Sequence, residues 1–445
     1  MHAATLAAHR FGFAEPTLSS VRADPRGWVL AQFTAGASHN AFDASGLADG
    51  SQALRITREL LRTALRPQET DERSRREARL ALRRINRAGL QRRWQHIVST
   101  PAPVAERWVQ FWANHFCVAA TKGSVLGLVW PHENEAIRPN AQGRFVDLLR
   151  ASTLHPAMLL YLDNAQSIGP ESRAGQRRNK GLNENLAREL LELHTLGVDG
   201  GYTQADVTET ARLLTGWSVR FGGDGQAGFG PALHQPGSKT ILGRRYAEGP
   251  QALDELLADL ARHPATARHL ATKLARHFIT DEPPTALVDE VAAAYRASDG
   301  ELRATARALF GHELAWRSDL APKFKRPEEL LLSAHRLLQR PIAMAELDAT
   351  AQSLQAMGQN PGRAPSPQGW PDRSEDWLAP DALFKRVRWA ERFAAAHGAQ
   401  ADARELARLS LGEDLGAGTR QQIERAESGA QALALLLASP EFQRR

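Results

Sequence analysis

Between residues 183 and 212, Glu184, Glu189, Glu192, Asp206 and Glu209 stand among Asn183, Asn185, Arg188 and Arg212. Carboxylates crowded into a half-buried site repel one another. One pKa then rises, and that group can pass a proton to or from a substrate. In this catalytic reading Glu189 transfers the proton, Arg188 holds an anionic or carbonyl group, and Asn185 orients it. Glu192 and Glu209 complete the acidic set, with Asn183, Glu184 and Arg212 as substrate-binding neighbours. A second reading is structural: arginines and carboxylates on facing helices neutralise each other without any reaction. A third is a hard divalent cation held by oxygens of Glu189, Glu192 and Asp206, with a histidine as a further ligand.

Two helices must position these groups. Asn183 suits an N-cap and Gly197 a helix stop. On a helical wheel Arg188, Glu189 and Glu192 fall within about 60° of Asn185, while Leu186, Leu190, Leu193 and His194 turn away. Thr203-Gln204-Ala205-Asp206 fits a capping box opening the second helix. Its Asp206, Glu209 and Arg212 recur every third residue, so two short antiparallel helices can bring their charged faces together.

Other motifs are missing. His132-Glu133 and His312-Glu313 each lack the second histidine of a zinc-protease helix, and no Glu-x-x-His pair exists for a di-metal bundle. Neither a G-x-S-x-G elbow nor a phosphate-binding loop occurs. Without a nucleophile signature, acid/base hydrolysis or lyase chemistry is the enzymatic expectation. Gly223-x-Gly225-x-x-Gly228 imitates a dinucleotide fingerprint, but no helix follows it, so it reads as a hairpin loop. The single cysteine, Cys117, rules out an internal disulfide and reads as a small buried apolar residue.

The surrounding pattern is all-α: one large multi-helix domain over 1–445 with a small β-hairpin insertion around 217–246. Charged helices fill 1–100, the central motif region 101–220, and further helices 250–345. A Pro/Gly/Trp loop spans 346–380, and helices close the chain over 381–445. Residues 66–98 read as one or two long amphipathic helices whose dense arginines form a solvated, charge-laced face. Trp108, Phe111, Trp112, His115 and Phe116 make a core-facing stripe, in which His115 is a core residue as readily as a ligand. The polar linker 166–181 sits where a lid over the charged face could lie, or it is only a connection.

Hydrophobic residues make up 42% and charged residues 24%, as in an ordinary globular protein. The net charge of +6 is spread along the chain and lacks interleaved aromatics, so no specific nucleic-acid binding is expected. No apolar run approaches the ~20 residues of a membrane span. The opening MHAATLAAHRFGFAEP lacks the basic start and apolar stretch of a signal peptide, so the cytoplasm is the expected compartment.

The stretch NENLARELLELHTLGVDGGYTQADVTETARLLTGW, at 183–217, closely resembles the signature of the bacterial family of domain of unknown function 1800. FWANHF at 111–116, FVDLLRASTLHPAMLLYLDN at 145–164 and LLLASPEFQRR at 435–445 agree with it, so the resemblance covers nearly the whole chain. It adds His115, from FWANHF, to the catalytic candidates. His234 and Lys239 resemble a His…Lys loop of relatives and join the substrate-binding candidates. The resemblance also implies a partner. Genes of this family commonly lie beside those of domain of unknown function 1501, a family similar to sulfatases. The competing function class is therefore a non-catalytic scaffold for such a protein. Many relatives are predicted to be exported, unlike the compartment expected here.

Overall fold

The computed structural model describes residues 1–34, 42–65, 72–178, 181–221 and 223–445. Within the helical stretch expected from 66, residues 66–71 lie outside the described residues, as do 179–180 at the end of the proposed lid. The rest is built from helices, with two small antiparallel hairpins as its only strands among the described residues.

Local chemistry sets where the helices begin. Pro103 occupies the first turn of Pro103–His115, where its missing N–H costs nothing, and Pro156, Pro264 and Pro327 do the same in their helices. His155 caps its helix by accepting from the Ala157 N–H at 3.1 Å. The helix Pro103–His115 is buried on nearly every side. Trp108 stacks on Phe278 at 5.9 Å between ring centroids, and Trp112 meets Phe145 at 5.7 Å. Truncating such an enclosed indole to alanine costs about 3–5 kcal/mol.

Around that helix lies one apolar core. It takes in Ala3–Thr5 and Leu6–Phe11, the segment 145–162, the central helix pair, and the helices Pro264–Phe278, Thr285–Ala297 and Leu302–Gly311. A second core gathers Pro327–Leu337, Pro380–His397, Ala403–Ser410 and Gly429–Ala438 against Phe13, Leu90, Trp94 and Ile97. The 28-residue helix Glu72–Ser99 reaches this second core with its C-terminal half.

Two local expectations are corrected. Residues 347–356, placed in a loop, form the helix Leu347–Ala356, which buries Leu347 and Leu354. The arginine run of 74–93 is not solvated throughout. Arg75 pairs locally with Glu72, but Arg87 reaches Asp348, and Arg93 is buried against Glu133 and Glu328. The all-α fold with its small β-insertion within 217–246 is present, the insertion built as two hairpins. Trp217–Val219 pairs with Ala227–Phe229, and Lys239–Ile241 pairs with Arg244–Tyr246. The second turns through Leu242 and Gly243, at φ of 50° and 77°, the two positive values that a tight primed turn needs. No helix of the described residues is long and apolar enough to cross a membrane.

Candidate functional site

The central motif folds as the helix Asn185–Glu189 running into a π-helical stretch, Leu190–Leu196, followed after a glycine turn by Gln204–Leu214. The Thr195 hydroxyl donates to the Leu190 carbonyl at 2.6 Å, five residues back, which suits the wider π turn. Gly197 ends the element at φ 84°. Asn183 contributes to the start: its Oδ1 accepts from the Asn185 N–H at 3.0 Å. Leu186, Leu190 and His194 are buried, and Asn185 is exposed. The reciprocal capping box of Thr203 and Asp206 is present.

Charged faces do meet across the pair, as a hydrogen-bonded lattice rather than one pool of carboxylates. Glu184 accepts from Thr208 Oγ1 at 2.7 Å and from Gln204 Nε2 at 2.8 Å. Arg188 donates to Gln204 Oε1 at 2.8 Å and lies 3.5 Å from Glu184. The Tyr202 hydroxyl donates to Glu192 at 2.9 Å. The bond from Thr208, with that from Gln204 and the charge of Arg188, holds Glu184 below the usual carboxylate range although burial pushes it up.

Glu189 differs from its neighbours. It is half-buried, and no hydrogen bond or ion pair to its carboxylate is found among the described residues. Burial raises its pKa, the adjacent Glu192 raises it further, and Arg188 opposes both. It also lies within electrostatic reach of the Tyr161 hydroxyl, which burial keeps protonated.

The other expected site residues fall elsewhere. Glu209 pairs within its own helix with Arg212, at 2.5 Å. Asp206 is spent on structure, because besides capping Thr203 it accepts from the Leu242 N–H at 2.7 Å, tying the second hairpin to the helix. Burial pushes Asp206 up, but these bonds outweigh it and leave the carboxyl lowered. It is therefore not gathered with Glu189 and Glu192. No group of three or more His, Cys, Asp or Glu among the described residues is placed to hold a metal ion. His234 and Lys239 face each other beneath the hairpins. Lys239 Nζ lies 3.1 Å from His234 Nε2 and donates to the Gln235 and Gly237 carbonyls, while His234 Nδ1 donates to the Thr215 carbonyl at 2.7 Å. Both side chains are buried and satisfied there, which makes them a latch for the hairpins. His115 is enclosed by Phe111, Trp112 and Phe116, with Nε2 donating to the His194 carbonyl at 3.1 Å. Burial drives its pKa far down, so it stays neutral in the core. Cys117 is buried too, its thiol pushed up to about 12.

Some relevant groups were not singled out from sequence. Tyr161 and Tyr202 flank the two carboxylates, and Lys273 is a half-buried amine whose pKa burial lowers. Tyr202 could have been found, since it sits in the turn joining the two helices. Tyr161 and Lys273 carry no such local signal.

A family model described as "Protein of unknown function (DUF1800)" matches residues 6–444. No curated protein and no solved structure matches the chain.

Proposed function

This chain belongs to the DUF1800 family, and from that premise we propose that it is an enzyme of acid/base type, a hydrolase or lyase, with Glu189 as its proton-transfer group. One observation carries the reading. Glu184, Glu192, Asp206 and Glu209 each have a hydrogen-bonded partner, whereas Glu189 is half-buried with none among the described residues, and its environment favours the protonated form. A carboxyl held that way is easier to protonate than an ordinary one, as a proton-transfer group needs to be. Arg188, on the same face, is the group for an anionic or carbonyl portion of the substrate, and Asn185 remains its orienting neighbour. A divalent ion remains the third reading, but with Asp206 turned to Thr203 and Leu242 it lacks its third carboxylate.

The test compares wild type with Glu189→Gln on a panel of chromogenic esters, glycosides and phosphate esters, plus β-elimination substrates. The wild type is expected to turn over at least one class. The variant should lose about 10²–10⁴-fold in kcat with an unchanged thermal midpoint. Equal turnover by both proteins, or none by either, rejects the reading.

A second reading, a scaffold for a sulfatase-like protein of the domain of unknown function 1501 family, has its own observation. Leu378, Leu383, Phe384 and Val387 leave an apolar face exposed at the start of Pro380–His397, Phe384 at 62%. Phe384→Glu abolishing co-purification with that partner, with Glu189→Gln leaving it intact, would favour the scaffold.

A further inference from the structure

A second polar site lies away from the central helix pair. A cavity of about 80 Å3 opens beside the helix Pro103–His115 and the start of Pro327–Leu337, with Trp130 and Trp370 among its walls. That volume holds on the order of half a dozen waters or one small organic ion. Gln110 and Arg326 line it, each only 5% exposed. Gln110 Nε2 and Arg326 Nε are both buried donors without a hydrogen-bond partner among the described residues. An unmet buried donor is costly, and an unmet guanidinium more so.

The charge around Arg326 explains why its own chain cannot satisfy it. Its ion-pair partner is Glu329, at 3.4 Å. That carboxylate is also shared with Arg107 and Arg445, each at 3.1 Å. Lys325 and Arg386 are buried within electrostatic reach of the same group, over the rings of Phe442 and Phe324. The nearby Asp372 is held by His277 at 2.7 Å. Buried cations therefore outnumber carboxylates here. On the opposite wall the acids Glu133 and Glu328 are both ion-paired: Arg93 bonds both, at 2.9 and 2.6 Å, and Arg138, which also serves Glu106, bonds Glu133 at 2.7 Å. Neither acid is left bare toward the cavity.

We propose that this cavity is a binding site for a small oxyanion, a carboxylate or phosphate group, gripped by the Arg326 guanidinium and the Gln110 amide. A guanidinium offers donors in a fork that matches such a group, and the anion supplies the negative charge that the surrounding arginines lack. Asn114, from the FWANHF motif, also lines the cavity and exchanges two hydrogen bonds with the Trp370 backbone, at 3.0 and 2.8 Å, fixing that wall.

The test titrates the full chain with sodium acetate and with inorganic phosphate, against sodium chloride at matched ionic strength, following thermal midpoint and tryptophan fluorescence. A saturable rise in midpoint with acetate or phosphate, absent with chloride, is the expected result. Gln110→Leu should weaken that anion at least tenfold while the protein stays folded, and Arg326→Gln should abolish the response. Trp130→Phe should keep the midpoint shift and reduce the fluorescence change. If Arg326→Gln does not fold, Gln110→Leu alone decides. No saturable response to either anion, or undiminished affinity in Gln110→Leu, overturns the proposal.

Discussion

Glu106 has no exposed surface, yet it keeps its charge. Burial pushes its carboxyl up. Arg138, bonded to both carboxylate oxygens at 2.6 and 2.8 Å, and His96 at 3.3 Å outweigh that and hold it well below the usual range. Breaking such a pair from one side strands the other charge, which costs about 3–5 kcal/mol. Glu106→Gln is expected to lose that much by urea denaturation, and so is Arg138→Met. Combined, the two should cost clearly less than the sum of the singles, because neither member of this pair is stranded and Glu133, which also loses Arg138, keeps Arg93. Additive losses would mean that the pair does not act as a unit. The same reasoning singles out Glu189, the carboxylate of the central motif for which the fold provides no partner.

Elements were legible wherever the controlling chemistry is local. The capping box at Thr203 and Asp206 and the stop at Gly197 each involve residues at most three positions apart, and both are present. The hairpins were legible from their glycines and strand formers, though not their number. What the sequence concealed is long-range. Arg93 finds Glu328 across 235 positions and Arg107 finds Glu329 across 222, and nothing in a local pattern announces either partner. For the same reason the central carboxylates read as one cluster, although Asp206 and Glu209 are committed elsewhere. These commitments can be measured. Thr203→Ala removes one cap bond and should cost about 1 kcal/mol in chemical denaturation. Asp206→Ala also releases the Leu242 N–H, so it should cost roughly 1 kcal/mol more and loosen the 239–246 hairpin in hydrogen exchange. Equal costs would mean that the hairpin is anchored by other contacts.

Across the whole molecule, buried bases dominate the response to pH. Burial pushes His9 and His194 down to about 3, and His269, His277 and His335 down to about 4, from an ordinary value of 6.5. Burial also pushes Lys325 down to about 7 from 10.5. A base whose pKa is depressed on folding binds fewer protons in the native state, so its stability contribution is full above the unfolded pKa and is lost as pH falls through the folded one. For the histidines that window runs from 6.5 down to 3–4, and for Lys325 from 10.5 down to 7. Both slopes have one sign, so the thermal midpoint is expected to fall steadily from pH 8 to 5, most steeply below 6.5. Neither ring nitrogen of His194 has a hydrogen-bond partner, so His194→Phe should flatten the acid limb by up to one proton, about 1.4 kcal/mol per pH unit. A midpoint independent of pH over that range would contradict the buried-base account. Glu189 is itself raised above the ordinary 4.5, by burial and by Glu192, so acid inactivation has two candidate causes, its own protonation and this weakening. Acid loss of activity therefore belongs to Glu189 only where the protein is still folded at that pH and temperature. A loss that tracks the midpoint, and that His194→Phe shifts along with it, belongs to the core.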